Sequence, residues 1–368
     1  MSFDVSLPEV YCRASSHFEL GRQVGAAMAS RIADAFLADK SLQTMHEFCE
    51  CAAGSELLTE FERVNHAKYP HILDEVAGIA AGSGQPARLV LLANLAQEFS
   101  TFVPKAAPVV GCTDCHVLTE CESAWGHTED VASVDEVLGY IIHSTLLDND
   151  AVVTAYTAYA YPGCVAGWAW GFNQHGVAFS INALTPASLC AGLAASFISR
   201  DVLDARSMDD AIVRATVPLQ GGGARFNLGS VTEPERRVLI EASPRGCELR
   251  QLVPGERCTV CNVYLFGDAP NELEGRRGPY AESSHRRLAR ATELTCDNSA
   301  SSGLEWIKRV LGDVAYSDFP IWRSSFPPDY ALTDHMVTFD LRARRVQVFR
   351  QSEHRPVNTF YMQEGLAN

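Results

Sequence analysis

Apolar and polar residues alternate at helical spacing through the first third of the chain. Apolar positions recur in this way over 17–47, 56–81 and 87–98, the pattern of helices that bury one face. The glycine- and proline-containing stretch GSGQPA (82–87) separates the second and third of these segments, and PKAAPVV (104–110) is interpreted as an exposed linker. The pattern therefore predicts a helical N-terminal third.

The pattern changes at Cys112, where short segments rich in β-branched and aromatic residues begin. They predict strands at 112–119, 123–130, 137–146, 151–160, 225–231, 236–243, 247–253, 257–266, 335–341 and 345–351, with two further strands in 167–184 joined by a turn at Asn173–Gly176. Helical spacing returns at 196–216 and 282–296. Strands in runs, interrupted by helices, indicate a layered α+β fold rather than a doubly wound one.

Composition narrows the functional classes. The chain has 368 residues, 47% hydrophobic and 20% charged, as expected of a globular protein with a large core. Its net charge of −15 offers no basic surface for nucleic acid. The apolar runs between Asp150 and Arg200 are short and interrupted by proline, glycine and amides, which favours buried strands over a membrane span. The N-terminus shows no secretory pattern, so a cytoplasmic protein is predicted.

Twelve cysteines include two C-x-x-C pairs, Cys112/Cys115 and Cys258/Cys261. Both pairs fall inside predicted strands, where residues i and i+3 point to opposite faces, so neither converges on one metal ion. No helix follows Cys115 to lower the pKa of a redox thiol. No metal site is predicted, and a zinc or redox protein remains a remote alternative.

The bond between Gly111 and Cys112 offers a different chemistry, because it lies where the helical and β-rich parts meet. A thiol can attack the carbonyl of its own preceding peptide, and glycine on the acyl side removes steric hindrance. Cleavage would free an N-terminal cysteine whose α-amine, with a pKa of about 8, can serve as base to its own thiol. One residue would then supply both nucleophile and base.

Several segments, in this order along nearly the whole chain, resemble the penicillin acyltransferase family of self-processing N-terminal nucleophile hydrolases. They are ELGRQVGAAM (19–28), LANLAQEF (92–99), GCTD (111–114), WGHTEDV (125–131), GFNQHGVAFSINAL (171–184), RRVLIEASP (236–244) and TVCNVYLF (259–266). The segment WGHTEDV looks closest to the β-alanyl-dopamine hydrolase branch of the family.

This resemblance implies an αββα sandwich of two antiparallel sheets between helices. It also implies self-cleavage into a helical segment, 1–111, and a catalytic chain, 112–368, which stay together as a heterodimer. Cys112 would be the nucleophile and Gly111 the last residue of the first segment. Asp130 would hold the freed α-amine, and the side-chain amide of Asn262, expected within a strand, would donate to the oxyanion. Four further residues are candidates to line the substrate pocket: His127, Glu129, Phe172 and Asn182.

The activity implied by the resemblance is hydrolysis of small N-acyl amines without a cofactor. N-β-alanyl amines such as β-alanyl-dopamine or carcinine are the expected substrates. The alternative is acyl-CoA-dependent acyl transfer on the same scaffold. Two departures from the family pattern are expected. Val260 and Val263 replace the histidines that flank the family's oxyanion asparagine, and Arg323 does not match the position of the arginine that fungal members use late in the chain. The second departure weighs against the acyltransferase alternative.

Overall fold

The computed structural model describes residues 6–103, 111–132, 139–268, 270, 274–275, 277–295, 302–350 and 355–362. The predicted linker at 104–110 lies outside these residues. Within them, no helix is long and apolar enough to cross a bilayer.

The N-terminal third is helical, as predicted, but it begins with a strand that the sequence analysis missed. This strand, β1 (Glu9–Ala14), pairs in parallel with the later strand Tyr140–Asp148. Side-chain caps divide the long periodic stretches. The Ser16 side chain accepts from Glu19 N at the first helix, and that of Asp39 accepts from Leu42 N at the third. The helices are α1 (His17–Ala27), α2 (Ala29–Ala38), α3 (Lys40–Phe48), α4 (Ala52–Lys68), α5 (Pro70–Ser83), α6 (Ala87–Asn94) and α7 (Ala96–Phe99).

Strands and helices then follow in nearly the predicted order. The strands are β2 (Gly111–Leu118), β3 (Ser123–Ala132), β4 (Tyr140–Asp148), β5 (Ala151–Ala160), β6 (Trp170–Asn173), β7 (Val177–Leu184), β8 (Gly223–Ser230), β9 (Val238–Ser243), β10 (Gly246–Gln251), β11 (Glu256–Val260), β12 (Ala331–Asp340), β13 (Arg345–Phe349) and β14 (Asn358–Tyr361). The helices are α8 (Ala195–Val202), α9 (Met208–Ala215), α10 (Gly278–Thr295) and α11 (Gly303–Leu311).

Three features differ from the sequence prediction in this part of the chain. Helix α11 and strand β14 were not predicted. Strand β11 ends at Val260, so Asn262 lies just beyond the strand and not within it. The turn between β6 and β7 was predicted correctly, and Gly176 has the positive φ of 77° that favours glycine there.

The described strands form two sheets. One has the order β1-β4-β5-β6-β7-β8-β9-β10 and the other β11-β2-β3-β12-β13-β14. Apolar side chains of the first sheet pack against α1 to α9, and those of the second against α10 and α11. A third cluster, which includes Trp125, Trp170 and Phe339, fills the space between the sheets. The predicted α+β class and αββα layering are confirmed.

Helices α1 and α5 approach each other unusually closely through glycines spaced four residues apart on each helix. A Cβ built on Gly21 would lie 1.9 Å from Glu75 O, and one on Gly78 would lie 2.1 Å from Phe18 O. Gly25 and Gly82 make the same kind of approach to the opposite backbone. The two helix backbones can therefore touch only where side chains are absent.

We expect Gly21→Ala to lower the free energy of unfolding by about 1–3 kcal/mol, because the added methyl group forces α1 away from α5. Urea denaturation measures this change. Ala26→Ser adds one atom to an exposed position of the same helix and serves as the control. Equal stability of the two variants would contradict the close contact.

Candidate active site

Cys112 is the second residue of β2, and its side chain points into the space between the two sheets. Its Sγ lies 3.4 Å from Ile181 O on β7 of the opposite sheet, and only 4% of the residue is exposed. Cys115 faces the other way, into the cluster beneath α10 and α11. The two cysteines of this C-x-x-C pair therefore cannot converge on one ion, as the strand pattern predicts.

The side chain of Asn262 contacts both the backbone and the thiol of Cys112. Its Oδ1 accepts from Cys112 N at 2.9 Å. Its Nδ2 lies 3.5 Å from Cys112 Sγ and donates to Ala183 O at 3.0 Å. Because Asn262 follows the end of β11, its amide is free to turn toward β2 and β7 instead of pointing across the sheet.

Arg287 on α10 contacts the same peptide from the helix side. Its Nη1 donates to Cys112 O at 2.8 Å and to Thr113 Oγ1 at 2.6 Å. Its Nη2 donates to Asn262 Oδ1 at 2.9 Å, and Ser283 supports its Nε at 3.2 Å. One buried guanidinium thus fixes both Cys112 and the asparagine that contacts it.

Asp130 lies opposite Gly111 in the β2–β3 pairing. Its Oδ1 accepts from Thr333 Oγ1 at 2.8 Å, and its Oδ2 accepts from Arg323 Nη1 at 3.3 Å. Arg287 Nη1 is 3.8 Å from the same carboxylate. Burial raises the pKa of Asp130 above its ordinary value, although both arginines act to lower it. Cys112 N donates to Asn262 in this uncleaved chain, so the predicted role of Asp130 in holding the freed amine stays a prediction.

A buried histidine between two carboxylates forms the floor of the site on the inter-sheet side. His127 Nδ1 is 2.7 Å from Asp114 Oδ2, and its Nε2 is 2.9 Å from Glu129 Oε2. Burial alone would lower the pKa of His127, but Asp114 and Glu129 together raise it to about 10. The imidazole is therefore a cation at neutral pH, with a hydrogen bond on each ring nitrogen.

Asp114 is surrounded by donors from the opposite sheet. Ser180 Oγ donates at 2.5 Å, Asn182 Nδ2 at 2.6 Å and Asn227 Nδ2 at 3.2 Å. Together with His127 these donors hold the pKa of Asp114 below its ordinary value despite complete burial. Asn182, predicted in the pocket, is thus placed by the structure on this aspartate.

Glu129 is the carboxylate nearest to the thiol among these groups. It is paired directly with Cys112 across β2 and β3, which puts both side chains on one face. Its other oxygen accepts from the hydroxyl of Tyr161. Burial raises the pKa of the Cys112 thiol well above its ordinary value, and the charges of Glu129 and Asp114 raise it further. The thiol is therefore protonated in the uncleaved chain.

Two clusters among the described residues could be considered for a metal ion. In the first, ligand atoms of Cys112, His127 and Glu129 lie within 4.8 Å of one another. Both nitrogens of His127 are already used by carboxylates, so the imidazole has no lone pair to offer. The second, His71 with Asp201 and Asp204, lies among the helices, and its two aspartates pair with Arg214 and Arg200.

Most of the chain matches the model of one known protein family. Residues 117–354 match the family model described as acyl-coenzyme A:6-aminopenicillanic acid acyl-transferase. The chain belongs to this family. Membership identifies it as an enzyme of the amide hydrolase and acyltransferase type, as the sequence resemblance predicts.

Two relatives of this chain are named for different activities, one a hydrolase and one an acyltransferase. A β-alanyl-dopamine/carcinine hydrolase of Drosophila melanogaster is 22% identical over 370 residues, covering 94% of this chain and 92% of the relative. An acyl-coenzyme A:6-aminopenicillanic-acid-acyltransferase of Emericella nidulans is 25% identical over 279 residues, covering 73% of each chain.

Solved structures of amidases are also similar to it. A Caenorhabditis elegans orthologue of N-acylethanolamine-hydrolyzing acid amidase has a TM-score of 0.41 at 12% identity and covers 63% of this chain and 93% of that one. A conjugated bile acid hydrolase of Clostridium perfringens, mutated at its second residue, has a TM-score of 0.41 at 11% identity, with 68% and 92% covered.

The sequence analysis of this family member did not place two arginines, Arg287 and Arg323, at the site. Arg323 was expected not to match the family's late arginine, yet the structure buries it against Asp130 and Asp329. A Cβ on Gly111 would lie 3.3 Å from its Nη1, so Arg323 does reach the junction. Arg287 could have been noticed, because it shares a helix face with the small residues Ser283 and Ala291, where a charge is unexpected.

Of the four predicted pocket residues, Phe172 has the surroundings that are least typical of a substrate contact. It is opposite Ala178 on β7 and packs in the apolar cluster between the sheets, 6.3 Å from the ring of Phe360. Its surroundings are those of a core residue. His127 and Glu129, by contrast, are gathered around Cys112.

We expect His127→Gln to lower the free energy of unfolding at pH 7 by about 3–5 kcal/mol, because two buried carboxylates lose their shared cation. In the unmodified protein the pKa of His127 is raised from 6.5 to about 10. Its stabilisation is therefore complete below pH 6.5 and is lost as the pH rises through 10.

Urea denaturation at a series of pH values measures both effects. His66→Gln, at an exposed position on α4, is the control. A His127→Gln variant as stable as this control would show that the imidazole carries no charge in the folded chain.

Proposed function

We propose that this chain is a self-processing cysteine amidohydrolase that cuts its own Gly111–Cys112 bond. The observation that carries the proposal is the set of contacts around this one peptide. Asn262 and Arg287 bind the Cys112 backbone, and the thiol lies 3.5 Å from the Asn262 amide. An ordinary structural cysteine needs no such arrangement.

In the proposed self-cleavage, Cys112 Sγ attacks the carbonyl carbon of Gly111. The C–N bond breaks, the thiol proton passes to the departing nitrogen, and a thioester joins Gly111 to Sγ. Water then hydrolyses the thioester to a Gly111 carboxylate, a free thiol and a free α-amine. The Arg287 and Arg323 guanidiniums beside Gly111 are suited to stabilise the oxyanion that forms in the attack.

The same thiol would then act on substrate. The α-amine, with a pKa of about 8, takes the thiol proton that burial otherwise holds in place. The thiolate attacks the amide carbonyl, the α-ammonium returns the proton to the leaving amine, and water releases the acid from the acyl-enzyme. The Asn262 Nδ2, already directed toward Sγ, is the proposed donor to the oxyanion, and Asp130 the proposed acceptor for the amine.

The two products of cleavage are proposed to stay together as a heterodimer. Strand β1 belongs to the first segment and pairs with β4 of the second. Helices α1 to α7 share one apolar cluster with the large sheet. The apolar side chains buried in this shared cluster support a persistent complex of the two segments. A cytoplasmic location is also part of the proposal, and its support is the sequence alone.

The proposed substrates are N-β-alanyl amines such as β-alanyl-dopamine or carcinine. Their support is the similarity to the Drosophila hydrolase and the GHTED segment, whose side chains His127 and Glu129 adjoin the thiol. Acyl-CoA-dependent acyl transfer is the second candidate. The sequence position of Arg323 was the argument against it, but the guanidinium lies near the junction, so that argument no longer weighs against acyl transfer. Consumption of a CoA thioester that depends on an added amine would identify a transferase.

We expect Cys112→Ala to remain a single band on a denaturing gel and to lose hydrolysis of β-alanyl-dopamine and carcinine. The unmodified protein should yield fragments 1–111 and 112–368. Cys121→Ala, at an exposed position in the turn after β2, should behave like the unmodified protein. Equal turnover by the Cys112 variant would overturn the proposed mechanism.

We expect Gly111→Ala to slow self-cleavage by roughly 10-fold to 100-fold. The added Cβ would lie 2.7 Å from Asn262 Oδ1 and 3.0 Å from Arg287 Nη2, which displaces the groups that position the bond. The rate is followed on denaturing gels after synthesis of the chain in vitro, with the Cys112→Ala chain as the uncleaved reference. Unchanged cleavage would show that these contacts do not position the junction.

A further inference from the structure

The carboxylate of Glu129 has no part in the proposed chemistry, yet it adjoins the nucleophile. One of its oxygens lies within 4.8 Å of Cys112 Sγ, and its residue is only 5% exposed. A carboxylate buried beside a nucleophilic thiol opposes formation of the thiolate, because the two negative charges repel. Such a placement is costly for the nucleophile unless a positive charge joins the pair.

Hydrogen bonding separates Glu129 from the other buried carboxylate nearby. Asp114 accepts from four side chains, namely His127, Ser180, Asn182 and Asn227, which matches the roughly four lone-pair sites of a carboxylate. Among the described residues, the side chains that donate to Glu129 are His127 and Tyr161. Glu129 therefore keeps acceptor capacity that its present donors do not use.

Charge leads to the same conclusion. Asp114 and Glu129 share the cation His127. The buried Arg237 guanidinium also interacts with Asp114, so Asp114 has a second cation nearby, whereas Glu129 depends on the shared one. On the other face of β3, the cations Arg287 and Arg323 are matched by Asp130 and Asp329. Glu129, with only a shared cation, is thus on the face that the thiol occupies, where a substrate's acyl group would lie.

We propose that Glu129 is the binding site for an ammonium group on the acyl part of the substrate, and so selects short aminoacyl amides over neutral acyl amides. This inference rests on the proposed function, since it places the acyl carbonyl at Cys112 Sγ. An ammonium two methylene groups from that carbonyl can reach a carboxylate this close to the sulfur. It would add a positive charge beside Glu129 and a charge-assisted hydrogen bond to it.

A neutral acyl chain would put apolar atoms against the same buried carboxylate and would offer it neither a charge nor a hydrogen bond. Burial of a charged group without such compensation is unfavourable. Glu129 would therefore favour binding of the cationic acyl group and disfavour binding of its neutral analogue. It is a specificity residue, and the bond chemistry stays with Cys112.

The test compares β-alanyl-dopamine with N-butanoyl-dopamine, in which a methyl group replaces the ammonium. We expect the unmodified enzyme to prefer the β-alanyl substrate in kcat/KM. Glu129→Gln keeps the side-chain volume and removes the charge, and it should reduce this preference roughly 30-fold or more. The loss should fall on the β-alanyl substrate alone. Glu120→Gln, at an exposed position in the turn between β2 and β3, is the matched control.

A second measurement needs no variant. β-Alaninamide should inhibit the unmodified enzyme more strongly than butanamide, which has the same shape without the charge. Self-cleavage of Glu129→Gln on a denaturing gel reports whether that variant folds around the junction. If it does not fold, the inhibition by the two amides decides the question.

The outcomes separate this inference from the proposed function. Hydrolysis of β-alanyl-dopamine with an unchanged preference in Glu129→Gln, or equal inhibition by the two amides, would overturn the role of Glu129 and leave the amidohydrolase intact. Equal losses on both substrates would also overturn it, because they indicate a structural role. If the unmodified protein shows no Cys112-dependent hydrolysis of β-alanyl-dopamine or of N-butanoyl-dopamine, the proposed function is overturned, and this inference with it.

Discussion

The peptide unit of Cys112 is fixed at both its polar ends by side chains from distant parts of the chain. Asn262, 150 residues away, accepts from its N–H, and Arg287, 175 residues away, donates to its carbonyl. Because β2 is paired with β11 on one side and β3 on the other, neither group could reach this peptide unless the strand order and α10 were both in place. The geometry of the site is therefore a consequence of the complete fold.

This peptide also separates two electrostatic environments. On the helix side, Arg287 and Arg323 meet Asp130 and Asp329 in matched pairs. On the inter-sheet side, Asp114 and Glu129 share one histidine, and the thiol adjoins Glu129. Burial, together with the charges of Glu129 and Asp114, raises the pKa of Cys112 and keeps the thiol protonated. In the proposed mechanism the base is therefore generated in place, because cleavage frees the α-amine of Cys112.

Periodicity predicted most of the fold because most elements bury one face. It failed where contacts with distant parts of the chain determine whether a strand forms and where it ends. Strand β1 precedes helices and is stabilised by pairing with β4, and β14 has four residues that alone carry little signal. The apolar pattern at 257–266 continues past Val260, but the strand ends there. Because it ends there, Asn262 can turn its side chain toward Cys112. Local sequence cannot indicate where a strand pairing ends when the partner strand is as distant in the chain as β2 is from β11.

Part of the site was within reach of the sequence and part was not. The Gly111–Cys112 junction, Glu129 and His127 lie in short segments with recognisable neighbours, and the structure gathers them. Arg287 and Arg323 come from α10 and from the segment before β12, and their role depends on where these elements pack. A buried arginine is visible in a sequence only as an interruption of an apolar face, as at Arg287, and Arg323 lies in no such face.

The contacts seen in the uncleaved chain remain usable after the proposed cleavage. The amide nitrogen of Cys112 has one hydrogen, which Asn262 Oδ1 already accepts. A freed α-amine has further hydrogens to donate, and Asp130 is paired with the residue that would withdraw, Gly111. Asn262 can keep its bond while Asp130 gains access to the new donors. Cleavage would then change the charge and freedom of one nitrogen without moving the framework, which is the preorganisation that stabilises an oxyanion effectively.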